Sequence, residues 1–271
     1  MTDTTPSPRL QQVVVTVSLL VCVVGSMIGV GVFGGTRVEE AAGGALAADA
    51  TLVAPASPAF SIWTVIYLGL AGYTVFQWLP AHALDERQRR LRAPVAATML
   101  LNAAWILTVQ AGLLWWSVVV IVALLVMLAR TFVILVRTPA SGVAERVLVD
   151  GTLGLYLGWV CVATVANVAA ALTAAGFDGG GVAADWWAVG ILSAVAAIGV
   201  ALAVRGRGRL AVAAAIAWGL VWVAVARSGG EPTSAPAAAS AVAAAVVVLG
   251  AAVVLRVRAL RAPAVAEAGA S

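Results

Sequence analysis

Eight stretches of about twenty apolar residues follow one another with almost no charge inside them, and that pattern leaves very few ways to fold. They run over 12–34, 58–79, 93–114, 117–137, 147–173, 185–204, 210–227 and 237–257, separated by Gly, Pro or Arg. Each is long enough to cross a bilayer as a helix, because about twenty residues at 1.5 Å rise span the hydrocarbon core. With 63% hydrophobic and 10% charged residues, the chain reads as an integral membrane protein and not as a soluble domain. The expected fold class is all-α, a polytopic bundle of eight transmembrane helices. The third and fourth stretches are divided only by Trp115-Trp116-Ser117, which reads as a tight hairpin.

Charge placement tests the helix count independently. All 16 basic residues are Arg. With the N-terminus inside, every one except Arg37 and Arg227 falls in a segment on the cytoplasmic side. Glu39, Glu40, Asp49, Asp178, Asp185 and Glu231 fall on the other side. A wrong count would scramble this alternation, so the expected location is a cell membrane, crossed many times, with N- and C-termini cytoplasmic. Arg confined to short loops explains the basic pI without nucleic acid.

Motif chemistry is sparse. No HExxH, paired CxxC, Walker loop or GxGxxG occurs, so metal, nucleotide and phosphate chemistry have no support in sequence. Cys22 and Cys161 lie inside apolar stretches and read as packing residues. The only His, His82, sits in a charged loop. The first stretch, followed by Ala45-Leu46-Ala47, superficially resembles a cleavable signal, but its apolar core is too long and its basic start too weak. The Ala/Gly-rich segment 35–57 reads either as a cover over the outer mouth or as a slack linker. Gly25-x-x-x-Gly29, Gly31-x-x-x-Gly35 and Gly154-x-x-x-Gly158 are small-residue faces that suit close helix packing inside the bundle or at a homodimer contact.

Side chains unsuited to lipid stand out against this background. Phe60, Trp63 and Tyr67 follow at spacings of three and four along the second stretch. Asn102 and Trp105 share a face of the third. At 100° per residue, Tyr156, Trp159, Ala163 and Asn167 fall within about 80° of arc on the fifth. A buried amide needs a partner or a cavity. From the helix directions, Trp63, Trp105 and Asn167 are expected in the outer half, Asn102, Trp159 and Tyr67 nearer the middle, and Tyr156 deeper. These depths fit one outward-opening pocket. For Asn167 the reading as helix-to-helix glue is preferred to that as a ligand contact. Trp78, Trp115, Trp116, Trp186 and Trp187 read as interface anchors, and Trp218 and Trp222 as a packing pair, with extension of the pocket as the alternative. Arg130 and Asp150, at similar depth on neighbouring antiparallel stretches, are expected to form a structural ion pair. The alternative has Arg130 snorkelling and Asp150 pairing with Arg146.

These residues resemble a known family. Pro58-Ala59-Phe60-Ser61-Ile62-Trp63 leading to Tyr67, then Leu101-Asn102 followed by Trp105, then Tyr156, Trp159 and Asn167, reproduce in order the motifs of the TspO/MBR family, the tryptophan-rich sensory proteins related to the mitochondrial translocator protein. Leu155 stands where the family has Pro, and the Trp-x-Pro-Pro lead is reduced to Pro55 and Pro58. The resemblance covers about 12–173. It implies a five-helix TspO/MBR-like bundle over 1–175, with 176–271 a three-helix C-terminal membrane extension. It also implies a receptor or sensor for a flat hydrophobic ligand, a tetrapyrrole (porphyrin) or sterol-like molecule, with no required cofactor and the bilayer as the other partner. Trp63 and Asn102 would be polar contacts, Tyr67, Trp105 and Trp159 walls, and Tyr156 and Asn167 further ligand-binding residues. Transport of such ligands, or light-dependent porphyrin breakdown, are the alternatives the resemblance carries. Neither a catalytic acid–base pair nor a nucleophile is legible.

Overall fold

The computed structural model describes residues 7–34 and 36–261. It is an all-α polytopic bundle, with no strand among the described residues. Eight helices are long and apolar enough to cross a membrane: α1 (Pro8–Gly29), α2 (Ser57–Phe76), α3 (Glu86–Gln110), α4 (Leu114–Arg137), α5 (Val143–Ala174), α6 (Ala184–Arg205), α7 (Leu210–Gly229) and α8 (Ala235–Arg261).

Local chemistry explains the ends. Pro8 opens α1 where a missing N–H costs nothing, and the Ser7 hydroxyl accepts from the Leu10 amide at 3.3 Å. At the start of α3, the Asp85 carboxylate accepts from Gln88 N at 2.8 Å. This helix begins at Glu86 rather than at 93, because its first two turns are polar yet inward-facing: Arg87, Gln88, Leu91 and Arg92 are all buried. The α3–α4 turn also differs from expectation. Trp115 and Trp116 lie in the first turn of α4, and the reversal is made upstream, where Gly112 takes φ 72°, a left-handed value that glycine adopts without a Cβ penalty. Both tryptophans are more than half exposed, as lipid-interface anchors are.

The described chain parts into two compact units. The first comprises Met1–Ala47 and Ser61–Leu153, the second Ala48–Phe60 and Gly154–Ser271. The partition thus falls within α5 and within the first turn of α2, so that Ala48–Phe60 belongs to the second unit. It is a different division from the five-plus-three one at 175/176 drawn on the family resemblance.

In the first unit, α1 packs along α3, α3 along α4, and α2 against the start of α5. Gly25 and Gly29 set the α1–α3 approach: a Cβ on Gly25 would lie 3.1 Å from the Ala103 Cβ, and one on Gly29 2.9 Å from Ile106. Gly31 lies in the turn after α1, and Gly35 falls outside the described residues. α5 opens with a π-helical stretch, Arg146–Gly151. α2 meets it closely, since a Cβ on Gly69 would lie 2.3 Å from the Thr152 hydroxyl.

In the second unit, α8 packs along α6 and α7. Gly154 and Gly158 admit α7: a Cβ on Gly158 would stand 2.3 Å from the Val212 carbonyl oxygen, and one on Gly154 2.9 Å from the Ala211 Cβ. Gly219 is likewise closed off by Val162 at 2.8 Å. The fifth helix's small-residue face is therefore occupied within this unit.

Backbone cannot step aside as a side-chain tip can, so Gly158→Ala is expected to destabilise the protein by about 2 kcal/mol, the usual size of an overpacking penalty. Thermal unfolding in detergent, followed by size-exclusion recovery, measures it. Gly190→Ala, with open space around it, should leave the midpoint unchanged.

Candidate functional site

Of the seven aromatic and amide residues singled out in sequence, none is exposed. They fall into two groups, one in each compact unit.

In the first unit, α1, α2 and α3 converge on the Asn102 carboxamide. Trp63 and Tyr67, one helical turn apart on α2, stack with ring centroids 5.4 Å apart and planes 16° from parallel. The spacing of four residues puts them on one face, which is what stacking requires. The Asn102 Nδ2 donates to the Tyr67 hydroxyl at 2.9 Å and approaches the Cys22 Sγ at 3.5 Å. Asn102 is wholly buried, and its Oδ1 has no hydrogen-bond partner among the described residues. Trp63 and Tyr67 are half-buried, and Trp105 is buried one turn beyond Asn102. The result is a flat aromatic surface whose phenol is fixed by an amide, with the buried amide oxygen left unpartnered beside it. In hydrocarbon such an acceptor favours any ligand N–H or O–H that reaches it.

In the second unit, Tyr156, Trp159 and Asn167 are all buried on α5. Phe60 meets Trp159 edge-on, centroids 5.7 Å apart at 77°. Trp218 and Trp222 do more than pack on each other. The Trp218 indole N–H donates to the Ala59 carbonyl at 2.9 Å, and the Trp222 carbonyl accepts from the Ala56 amide at 3.1 Å. Arg227, buried on the same helix, donates to the Ala48 carbonyl at 2.5 Å and to the Pro232 carbonyl at 2.9 Å. Three residues of α7 thus hold the segment 48–59, which is not a slack linker. Sequence reading missed this role because the acceptors are backbone carbonyls, which leave no mark in residue type.

The expected ion pair is corrected. Asp150 is paired with Arg87 of α3, not placed opposite Arg130, which is exposed on α4. Arg87 also donates to Glu145 Oε1 at 2.5 Å and to the Thr138 carbonyl at 2.6 Å. Glu145 is completed by Gln88 Nε2 at 2.7 Å and by the amide and hydroxyl of Ser141 at 2.7 and 2.8 Å. Arg87 looked like one of a run of loop arginines because the first turns of α3 are too polar to register as membrane helix. Once α3 starts at Glu86, Arg87 lies inside the fold, where it joins α3 to the opening of α5. Arg130 can extend toward water along its apolar stem and needs no partner.

Comparison with known proteins adds one finding of family. The sequence model of the family described as TSPO-like protein matches residues 11–255, and so runs through all eight helices. No curated protein and no solved structure matches the chain.

Removing Arg87 would leave Glu145 and Asp150 buried without their shared cation. Arg87→Gln is therefore expected to cost about 3 kcal/mol or more. Arg130→Gln should stay within about 0.5 kcal/mol of the parent, as exposed substitutions do. Denaturation midpoints of the two variants in the same detergent separate this arrangement from an Arg130–Asp150 pair, which predicts the reverse order.

Proposed function

The chain belongs to the TSPO-like protein family, and from that premise we propose that it is a membrane receptor or sensor for a flat hydrophobic ligand of the tetrapyrrole or sterol type. The observation that carries the reading is the Trp63–Tyr67 stack with Asn102 bonded to its phenol and the buried Asn102 Oδ1 unpartnered. A planar macrocycle gains broad contact on indole and phenol faces. A pyrrole N–H or a hydroxyl would give the carboxamide oxygen the donor it lacks. Trp63 and Asn102 are the proposed polar contacts, with Tyr67 and Trp105 as walls. Tyr156, Trp159 and Asn167, buried in the second unit, are proposed as further ligand-binding residues on the family resemblance.

Chemical inventory favours binding over ion-coupled movement. The buried carboxylates Glu145 and Asp150 are both engaged by Arg87, so neither stands ready to carry a proton with a substrate.

A porphyrin added to the full chain in nanodiscs should quench tryptophan fluorescence saturably. Asn102→Ala and Trp63→Phe should each weaken the apparent affinity by about tenfold, the size of one lost hydrogen bond in a dry site. Unchanged affinity in both variants would remove this site assignment. Accumulation in sealed proteoliposomes that depends on a proton gradient would replace the receptor reading by a transporter.

A further inference from the structure

The turn between α6 and α7 reads Arg205-Gly206-Arg207-Gly208-Arg209. Two hydrogen bonds set its backbone. The Gly208 amide donates to the Ala203 carbonyl at 2.9 Å, and the Arg207 amide to the Val204 carbonyl at 3.2 Å. This paired pattern ends many helices, and it needs a left-handed residue where Arg207 stands. Arg207 has φ 51°, and among the described residues only Ala42 shares such a value without being glycine. That position is usually glycine, because a Cβ is strained there. Here glycines flank the position on both sides and an arginine fills it. Strain of this kind clusters at functional sites, and the side chain it keeps is a guanidinium.

Gly208 is dictated by packing. A Cβ on it would lie 2.2 Å from the Arg256 amide nitrogen and 2.6 Å from the Arg256 Cα on α8. The turn is thus seated on the end of α8, and the Cα atoms of Arg207 and Arg256 lie no more than about 8 Å apart. Arg205 closes α6 and Arg258 lies in the last turn of α8, so four arginines meet at one end of the second unit. Arg205, Arg207 and Arg258 are exposed and Arg256 is half-buried. No ion pair among the described residues engages any of them. The described acids of this unit stand at the other end of its helices. Asp178 and Asp185 are at the start of α6, Glu231 follows α7, and Asp49 adjoins Ala48, which Arg227 holds in the last turn of α7. A 22-residue helix separates the two ends by about 33 Å, well beyond the screening length in physiological salt. The partial charge of a helix end favours Arg205 and Arg258, but Arg207 belongs to no helix.

Apolar side chains border this charge. Val204, Leu210, Val257 and Leu260 are all exposed and alternate with the arginines along the chain. A soluble acidic partner would match the charge alone. A lipid matches both, with its phosphate on guanidinium and its acyl chains on valine and leucine. We propose that Arg205, Arg207, Arg256 and Arg258 form a binding surface for the headgroups of anionic phospholipids. The surface lies within the second unit, shares no residue with the Trp63–Tyr67–Asn102 reading and stands or falls without it.

The test places the full chain in phosphatidylcholine nanodiscs with a graded fraction of phosphatidylglycerol and counts retained lipid by native mass spectrometry. The parent should retain phosphatidylglycerol in preference to phosphatidylcholine. Arg207→Gly removes the guanidinium and supplies the residue that a left-handed position favours. Its thermal unfolding midpoint should not fall below the parent's, while its apparent affinity for phosphatidylglycerol drops about fivefold, the worth of one arginine at an anionic membrane surface. Arg207→Asn, which tolerates the same backbone, should repeat that loss. Adding Arg256→Gln should deepen it. Arg137→Gln removes the same charge at the end of α4 in the first unit and should leave the affinity unchanged. Equal affinity in the parent, Arg207→Gly and Arg207→Asn overturns the proposal. So does equal retention of the two lipids by the parent. Binding of soluble polyglutamate in phosphatidylcholine discs, without selective retention of phosphatidylglycerol, would assign the surface to an acidic protein and overturn the lipid reading.

Discussion

A polar group inside hydrocarbon has no water to fall back on, and the interior of this protein is arranged around that scarcity. Arg87 shows the consequence most fully. It carries Glu145, Asp150 and the Thr138 carbonyl together, while Gln88 and Ser141 complete Glu145. The first turns of α3 can therefore remain helical and buried although they are rich in charge. The π-helical opening of α5 occurs where Asp150 meets this cation. Without that network, the polar start of α3 would have no reason to enter the fold.

Close approach is the other half of the construction. Lipid offers no hydrophobic gain for helix association, so packing has to come from contact at short range. Glycine supplies it on α1 against Ala103 and Ile106, on α2 against Thr152, and on α5 against Val212. Around these seams the amide and ring chemistry is set at fixed positions. Asn102 reaches the Tyr67 hydroxyl of α2 and the Cys22 Sγ of α1 from α3. In the second unit α7 combines such packing with three hydrogen-bonded clamps on the segment 48–59.

Much of this was readable beforehand. All eight apolar stretches became helices, and the tryptophans expected at interfaces are exposed. The stripe of Trp63 and Tyr67 is a stacked pair, as a spacing of four residues allows. What misled was hydropathy where polar residues turn inward. It started α3 at 93, placed a hairpin at Trp115-Trp116-Ser117, and left Arg87 outside. It also gave Asp150 the wrong partner, because depth along two neighbouring helices says nothing about which faces meet. The motifs that carry the family resemblance lie on the first five helices, whereas the family's sequence match continues through the last three, where Ala and Val leave few distinctive residues.

Sequence by itself determined the eight crossings and the family. Length and hydropathy suffice for the first, because the bilayer accepts only segments that satisfy their own backbone, and ordered motifs suffice for the second. Only the tertiary structure decided which polar groups meet. It gave Arg87 to Asp150, gave Asn102 to Tyr67, and tied the segment 48–59 to α7. Those outcomes depend on helix rotation and on backbone carbonyls as acceptors. Neither is written in the identity of any residue.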